Sequence, residues 1–151
     1  FSDKNLLLEK EYFQSILDSN VLFFDKKSPE SCYRAVDSAE VVIGIDDTLV
    51  YESAARGNKT AFFSIRRKSL NINQNPNYHD LDFGYPGNYA DQGKFWTNNS
   101  DPSVYEKILN YLFSINKQEW QTELNRVGFS NIMNYDPNNT TLKSLIKVIT
   151  H

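Results

Sequence analysis

A chain of 151 residues is long enough to bury a sizeable core as one domain. Its net charge of −3 and pI near 5.4 argue against a nucleic-acid binder that works by bulk electrostatics. One cysteine, Cys32, excludes an internal disulfide, and no apolar run approaches the roughly 20 residues of a membrane span. A cytoplasmic, reducing compartment is therefore the default expectation, with peripheral association with an inner membrane left open. The chain opens on Phe1 and its only methionine is Met133, so it reads as a piece of a longer chain.

Lys4–Asp18 carries Leu7, Leu8, Tyr12 and Ile16 at helical spacing and predicts a helix. Val21–Phe24 is a short apolar run and reads as a strand. Ser28-Pro29-Glu30 opens a second helix, running to about Asp37: Ser caps, Pro suits the first helical position, and Glu complements the positive helix end. Cys32 on that helix reads as a small buried hydrophobe. Val41–Ile45 is β-branched and apolar, the pattern of a strand buried on both faces. Leu49–Arg56 reads as a short helix, and Gly57 fits the position just past a helix end, where a positive φ is often needed. Thr60–Ile65 is the next strand. The order α, β, α, β, α, β predicts a three-layer α/β domain with a mainly parallel sheet.

Residues 66–100 change character. The basic cluster Arg66-Arg67-Lys68 gives way to Asn, Pro, Gly, Tyr and Trp without a sustained period, which reads as a long aromatic-rich loop with room for a short strand. Residues 101–151 are helical. Asp101-Pro102 opens a helix with Val104, Ile108, Tyr111, Leu112 and Ile115 on one stripe. Asn116 with Glu119 matches a capping box, leading a helix through Trp120, Leu124 and Val127 that Gly128 ends. Asp136-Pro137 precedes a last helix with Leu142, Leu145, Ile146 and Ile149 on one face.

In open α/β sheets ligands bind outside the carboxyl ends of the strands. After Val41–Ile45 that place holds Asp46, Asp47, Thr48, Tyr51 and Glu52. Each has two readings. Asp46 and Asp47 are a helix cap and a solvated acid, or a pair of oxygen ligands for Mg²⁺. Thr48 is a cap or a phosphate donor. Tyr51 stacks on a base or belongs to the core. Glu52 holds a ligand or complements the helix dipole. Arg56 suits a helix C-terminus and takes the structural reading. Arg66 follows the carboxyl end of a strand, where a cation can meet a phosphate. His79, beside Asp80 and Asp82, is a lone loop histidine. No Cys/His spacing suggests zinc, and neither a nucleophile elbow nor a Walker loop occurs.

The stretches IDDTLVYESAARGNKTAFFSIR, FGYPGNY, GKFWTNN and IMNYDPNN together resemble the C-terminal region of a bacterial family of surface-carbohydrate (O-antigen) biosynthesis proteins, related to glycosyltransferases of the GT-B type. The resemblance covers the chain from about Ser31 onward. It implies a single Rossmann-like domain that binds the nucleotide-sugar donor, with the acceptor-side domain elsewhere in the same protein and a glycan as acceptor. It implies that Asp46-Asp47-Thr48 meets the donor phosphates, that Glu52 holds the ribose hydroxyls, and that Lys94, Trp96 and Thr97 line the donor cleft, although Trp96 reads equally as a packing anchor. A carboxylate can accept from both hydroxyls of a cis-diol, which suits Glu52. Asp47 stands where such proteins commonly carry Ser or Gly, and an anion repels a diphosphate unless a metal or a basic group intervenes. The departure leaves three alternatives: another donor, a metal-bridged site, or a lost one. A non-catalytic interaction module and a nucleotide-sugar epimerase are the competing functions.

Overall fold

The computed structural model describes residues 3–17, 21–24, 28–45, 47–63 and 92–149. The chain divides into two compact units, Phe1–Ala35 and Val36–His151. In the first, α1 (Asp3–Ile16) forms where the apolar spacing predicts it, with Leu7, Leu8, Tyr12 and Ile16 exposed. Val21–Phe24 is not a strand, which corrects the sequence reading. A strand exists only where a neighbour takes its backbone N–H and C=O groups, and none of the described strands pairs with this run. Leu22 within it is 83% exposed. Helix α2 (Pro29–Ser38) begins at the proline, as its sequence indicates. Cys32 is exposed rather than buried. The buried positions of α2 are Ser31 and Val36, and Cys32 lies about 100° around the helix from Ser31.

The second unit holds β1 (Val42–Ile45), α3 (Thr48–Ala55), β2 (Thr60–Phe63), β3 (Trp96–Thr97), α4 (Pro102–Ser114), α5 (Lys117–Arg126), a 3-10 turn at Phe129–Asn131, and α6 (Thr140–Ile149). The strands form one sheet in the order β1-β2-β3 with both pairings parallel. Val42 pairs with Thr60 and Ile45 with Phe63, while Phe62 pairs with Trp96. The chain is thus a mixed α/β protein with a small parallel sheet. The short strand β3 lies inside the segment read as a loop. Residues 64–91, which include Arg66 and most of that loop, lie outside the described residues.

Strand β2 is central and buried along its whole length. Strand β1 is an edge strand, and Ile43 and Ile45 are each 53% exposed. Burial on both faces, expected from the apolar run, therefore holds for β2 and not for β1. The reason is coverage: α3 packs on β1 and β2, whereas α4 packs on β2 and β3. The α3 packing is tight. A Cβ on Gly44 would stand 1.7 Å from Val50 Cγ2, so only glycine admits the helix at this distance. Gly57 takes a φ of 90° just past α3, as its position implies.

Aromatic rings fill the core. Phe62 lies 5.0 Å from Tyr51 and 6.0 Å from both Phe95 and Phe129, and Phe95 meets Trp120 edge-on at 4.9 Å. Each fully buried side chain of this size contributes about 1.5–3 kcal/mol relative to exposure. The buried Ser53 hydroxyl donates to the Thr60 hydroxyl at 3.2 Å, and Thr60 donates in turn to the Asn58 carbonyl at 2.9 Å. Arg56 clamps the end of α3: its guanidinium bonds both carboxylate oxygens of Asp37 and lies 4.8 Å from the ring centroid of Tyr135. The Arg56 bond, helped by Asn58, holds the Asp37 carboxyl below its usual range. Arg56 thus has the structural role its helix-end position suggested.

The C-terminal helices start where their sequence signals stand. Asp101 Oδ1 accepts from the Ser103 N–H at 2.9 Å. Asn116 and Glu119 complete a reciprocal capping box. Asp136 Oδ2 accepts from the Thr141 N–H at 2.8 Å, and the backbone bonds of Thr140 and Thr141 lower its carboxyl to about 2. On α6 the apolar residues Leu142, Leu145 and Ile146 are exposed. Among the described residues no helix is long and apolar enough to cross a membrane.

Candidate functional site

The parallel sheet has one carboxyl edge, where Ile45, Phe63 and Thr97 end their strands. The chain leaves β1 there and turns at once into α3. Asp47 is the N-cap of that helix, in an extended conformation, and its Oδ1 accepts from the Leu49 N–H at 2.9 Å. This is the geometry in which an acidic side chain satisfies a first-turn donor and meets the positive end of the helix. Asp46 lies outside the described residues.

Thr48 and Glu52 are one turn apart and so share a side of α3. The buried positions Val50, Ser53 and Ala54 define the opposite side, against the sheet. Thr48 is exposed and Glu52 is half-buried. Tyr51 turns toward the sheet, where its ring packs on Phe62. The carboxyl edge therefore brings together Asp47, Thr48 and Glu52, but not Tyr51. Trp96 lies on β3, the strand at the far side of β2 from β1, and is buried, with its ring meeting Phe95 edge-on at 4.9 Å. Thr97 is also buried. Its hydroxyl accepts from the Asn99 N–H at 3.0 Å, shaping the turn that leads into α4.

Sequence reasoning missed a second feature, at the opposite edge of the sheet. Lys94 precedes β3, and its ammonium donates to Glu123 Oε2 at 3.2 Å. Arg126 bonds both oxygens of the same carboxylate. Glu123 is buried, yet it stays ionised: the Arg126 bond, reinforced by Lys94, holds its carboxyl below the usual range against the opposing effect of burial. The Lys94 ammonium also lies 5.4 Å from the ring centroid of Tyr111. Burial, then the charge of Glu123, pushes the Tyr111 phenol up. These groups border a cleft of about 470 Å³ lined by Lys94, Tyr111, Ile115, Gln118, Glu119 and Glu123 among others.

One sequence signal marks this cleft. Glu123 sits on the stripe of Trp120, Leu124 and Val127, at the spacing of a buried face. An acid on an apolar stripe requires a cation, and Lys94 is contributed from outside the helix. Among the described residues no three His, Cys, Asp or Glu side chains come together to hold a metal.

No curated protein and no solved structure matches the chain. One family model does match, over residues 2–150. By its description as a "putative O-antigen biosynthesis protein", it agrees with the surface-carbohydrate part of the resemblance and is silent on the glycosyltransferase part. With all but the terminal residues matched, the chain belongs to this O-antigen biosynthesis family.

Proposed function

We propose that the chain serves O-antigen biosynthesis by binding a nucleotide-sugar donor at the carboxyl edge of its sheet, as the donor-side domain of a Rossmann-like, GT-B-type glycosyltransferase. One observation carries the reading: the α3 N-terminus opens at that edge with Thr48 and Glu52 on one accessible side. Helix N-termini at this place favour anions, and a carboxylate one turn on suits a ribose diol. Thr48 would donate to a phosphate and Glu52 would accept from the ribose hydroxyls. Arg66 would neutralise the diphosphate, and Asp46 and Asp47 would hold a Mg²⁺ ion that would supply further positive charge against the phosphates. In transfer, the acceptor hydroxyl of a glycan displaces the nucleoside diphosphate at the anomeric carbon. The helix end and the basic groups stabilise the charge on the leaving phosphate.

A specific observation favours a second reading. The Asp47 carboxylate already occupies the Leu49 N–H, the donor a phosphate would use. An interaction module that has lost its donor site would look the same at this position. A thermal-shift screen against CMP, UDP, GDP and CDP, with and without Mg²⁺, separates the two. The donor reading expects stabilisation by one nucleotide that disappears in Glu52→Ala. Stabilisation by none, in the complete protein, supports the module.

A further inference from the structure

The cleft at the amino edge of the sheet is a separate place from the α3 N-terminus, and its chemistry is different. Its volume of about 470 Å³ lies within the range of small-molecule sites. Three charged side chains line it: Lys94 against Glu119 and Glu123. Arg126 also pairs with Glu123, so cations and carboxylates around the cleft balance, and a phosphate or a nucleotide gains no net attraction there. Tyr111 and Ile115 are its apolar side chains, and they share it with these charged groups and with Asn116, Gln118 and Thr122, so apolar faces alternate with polar groups.

A ligand whose groups both donate and accept, with C–H faces between them, fits this balance. We infer that the cleft binds an uncharged polyhydroxylated ring, that is, a neutral saccharide unit. A sugar hydroxyl can donate to a carboxylate and accept from an ammonium at the same time. Lys94 lines the cleft, spends one N–H on Glu123 and is 54% exposed on its side chain, so its ammonium is not fully used within the protein. Glu119 uses Oε2 for the Asn116 N–H at 2.8 Å, one of the roughly four acceptor sites a carboxylate offers. The Thr122 hydroxyl donates to the Gln118 carbonyl at 2.9 Å, so its lone pairs accept. Tyr111 and Ile115 meet the C–H groups of the ring.

These groups are held before any ligand arrives. Lys94 is fixed by Glu123 and Tyr111, and Glu119 by the capping box. Pre-ordered side chains lose little entropy on binding. The inference does not rest on the donor-site reading: Lys94, which the resemblance assigns to the donor cleft, stands at the amino edge, and none of the cleft's lining residues belongs to the α3 N-terminus. Membership of an O-antigen biosynthesis family makes a saccharide a chemically relevant ligand.

The test is a titration of the ¹⁵N-labelled 151-residue chain with glucose, galactose, mannose and N-acetylglucosamine, and in parallel with UDP, followed by amide shifts. At least one sugar is expected to shift amides of residues 94, 111 and 115–123 and to saturate with a Kd of about 1 mM. Lys94→Ala should weaken that binding about tenfold, an effect on the scale of one lost hydrogen bond. Thr122→Trp, at an exposed helical position, should block the cleft and abolish the shifts while leaving the melting temperature near that of the parent. If Lys94→Ala does not fold, Thr122→Trp alone decides. Shifts elsewhere only, shifts that survive Thr122→Trp, no shift with any sugar, or UDP in place of sugar at these amides would each overturn the inference. A UDP response at residues 47–52 bears on the donor site and leaves this result untouched.

Discussion

At the scale of single residues, two positions carry more than their neighbours. Gly44 is required by contact, because α3 approaches so closely that Val50 fills the space of a side chain. Gly44→Ala is expected to lower stability by about 1–3 kcal/mol, the usual cost of overpacking, read from the urea midpoint. An unchanged midpoint would mean that α3 can shift outward at no cost. Glu123 is required by charge. Its carboxyl titrates below 4.5 in the folded chain, so the unfolded chain binds more protons as the medium is acidified. The stabilisation is whole above about pH 4.5 and is lost as pH falls through the folded value. Glu123→Gln removes this dependence along with the ion pairs. Melting temperature followed from about pH 7 down to pH 3 should therefore fall less steeply in the variant. Asp136 follows the same sign, with its contribution fading between 3.8 and about 2. A variant curve parallel to the parent's would remove Glu123 from the acid response.

At the scale of elements, helices α3, α4 and α5 begin on side-chain caps. Asp101→Ala and Asn116→Ala should each cost about 1 kcal/mol by chemical denaturation. Asp47 is the informative member of the set, because it caps α3 at the proposed phosphate position. Asp47→Ser keeps a good cap, so stability should stay within a few tenths of a kcal/mol. The same change removes a negative charge from the place of the diphosphate. On the donor reading, nucleotide affinity should then rise about tenfold, as measured by calorimetry. Equal nucleotide binding before and after the change would separate Asp47 from any phosphate contact.

At the scale of the whole molecule, the parallel sheet presents two different edges. The carboxyl edge has a capped helix start and Glu52; the amino edge has the cleft around the Lys94–Glu123–Arg126 cluster. The two proposed ligands differ in charge, and each edge suits one of them. Nucleotide and neutral sugar should therefore bind without competing, so that saturating one leaves the midpoint of the other unchanged. Mutual displacement in a two-ligand titration would place both at one site.

Local chemistry determined much of this architecture. Capping residues, the proline at the start of α2 and Gly57 act within a turn of chain, so Ser28-Pro29, Asp101-Pro102, Asn116…Glu119 and Gly57 could be read directly. The βαβ order was legible for the same reason, since β1, α3 and β2 are contiguous in sequence. What the sequence left open is what depends on partners far along the chain. Val21–Phe24 has the composition of a strand but no described strand to pair with. Val42–Ile45 is as apolar as a central strand, yet it stands at an edge with α3 packed on one face and Ile43 and Ile45 exposed. Trp96, which the sequence left between a cleft and a packing role, is buried against Phe95. Lys94 and Glu123, 29 residues apart, form an ion pair that no local pattern encodes. Backbone preferences and caps belong to the sequence alone; which faces are covered, and which charges meet, were decided only when distant segments packed together.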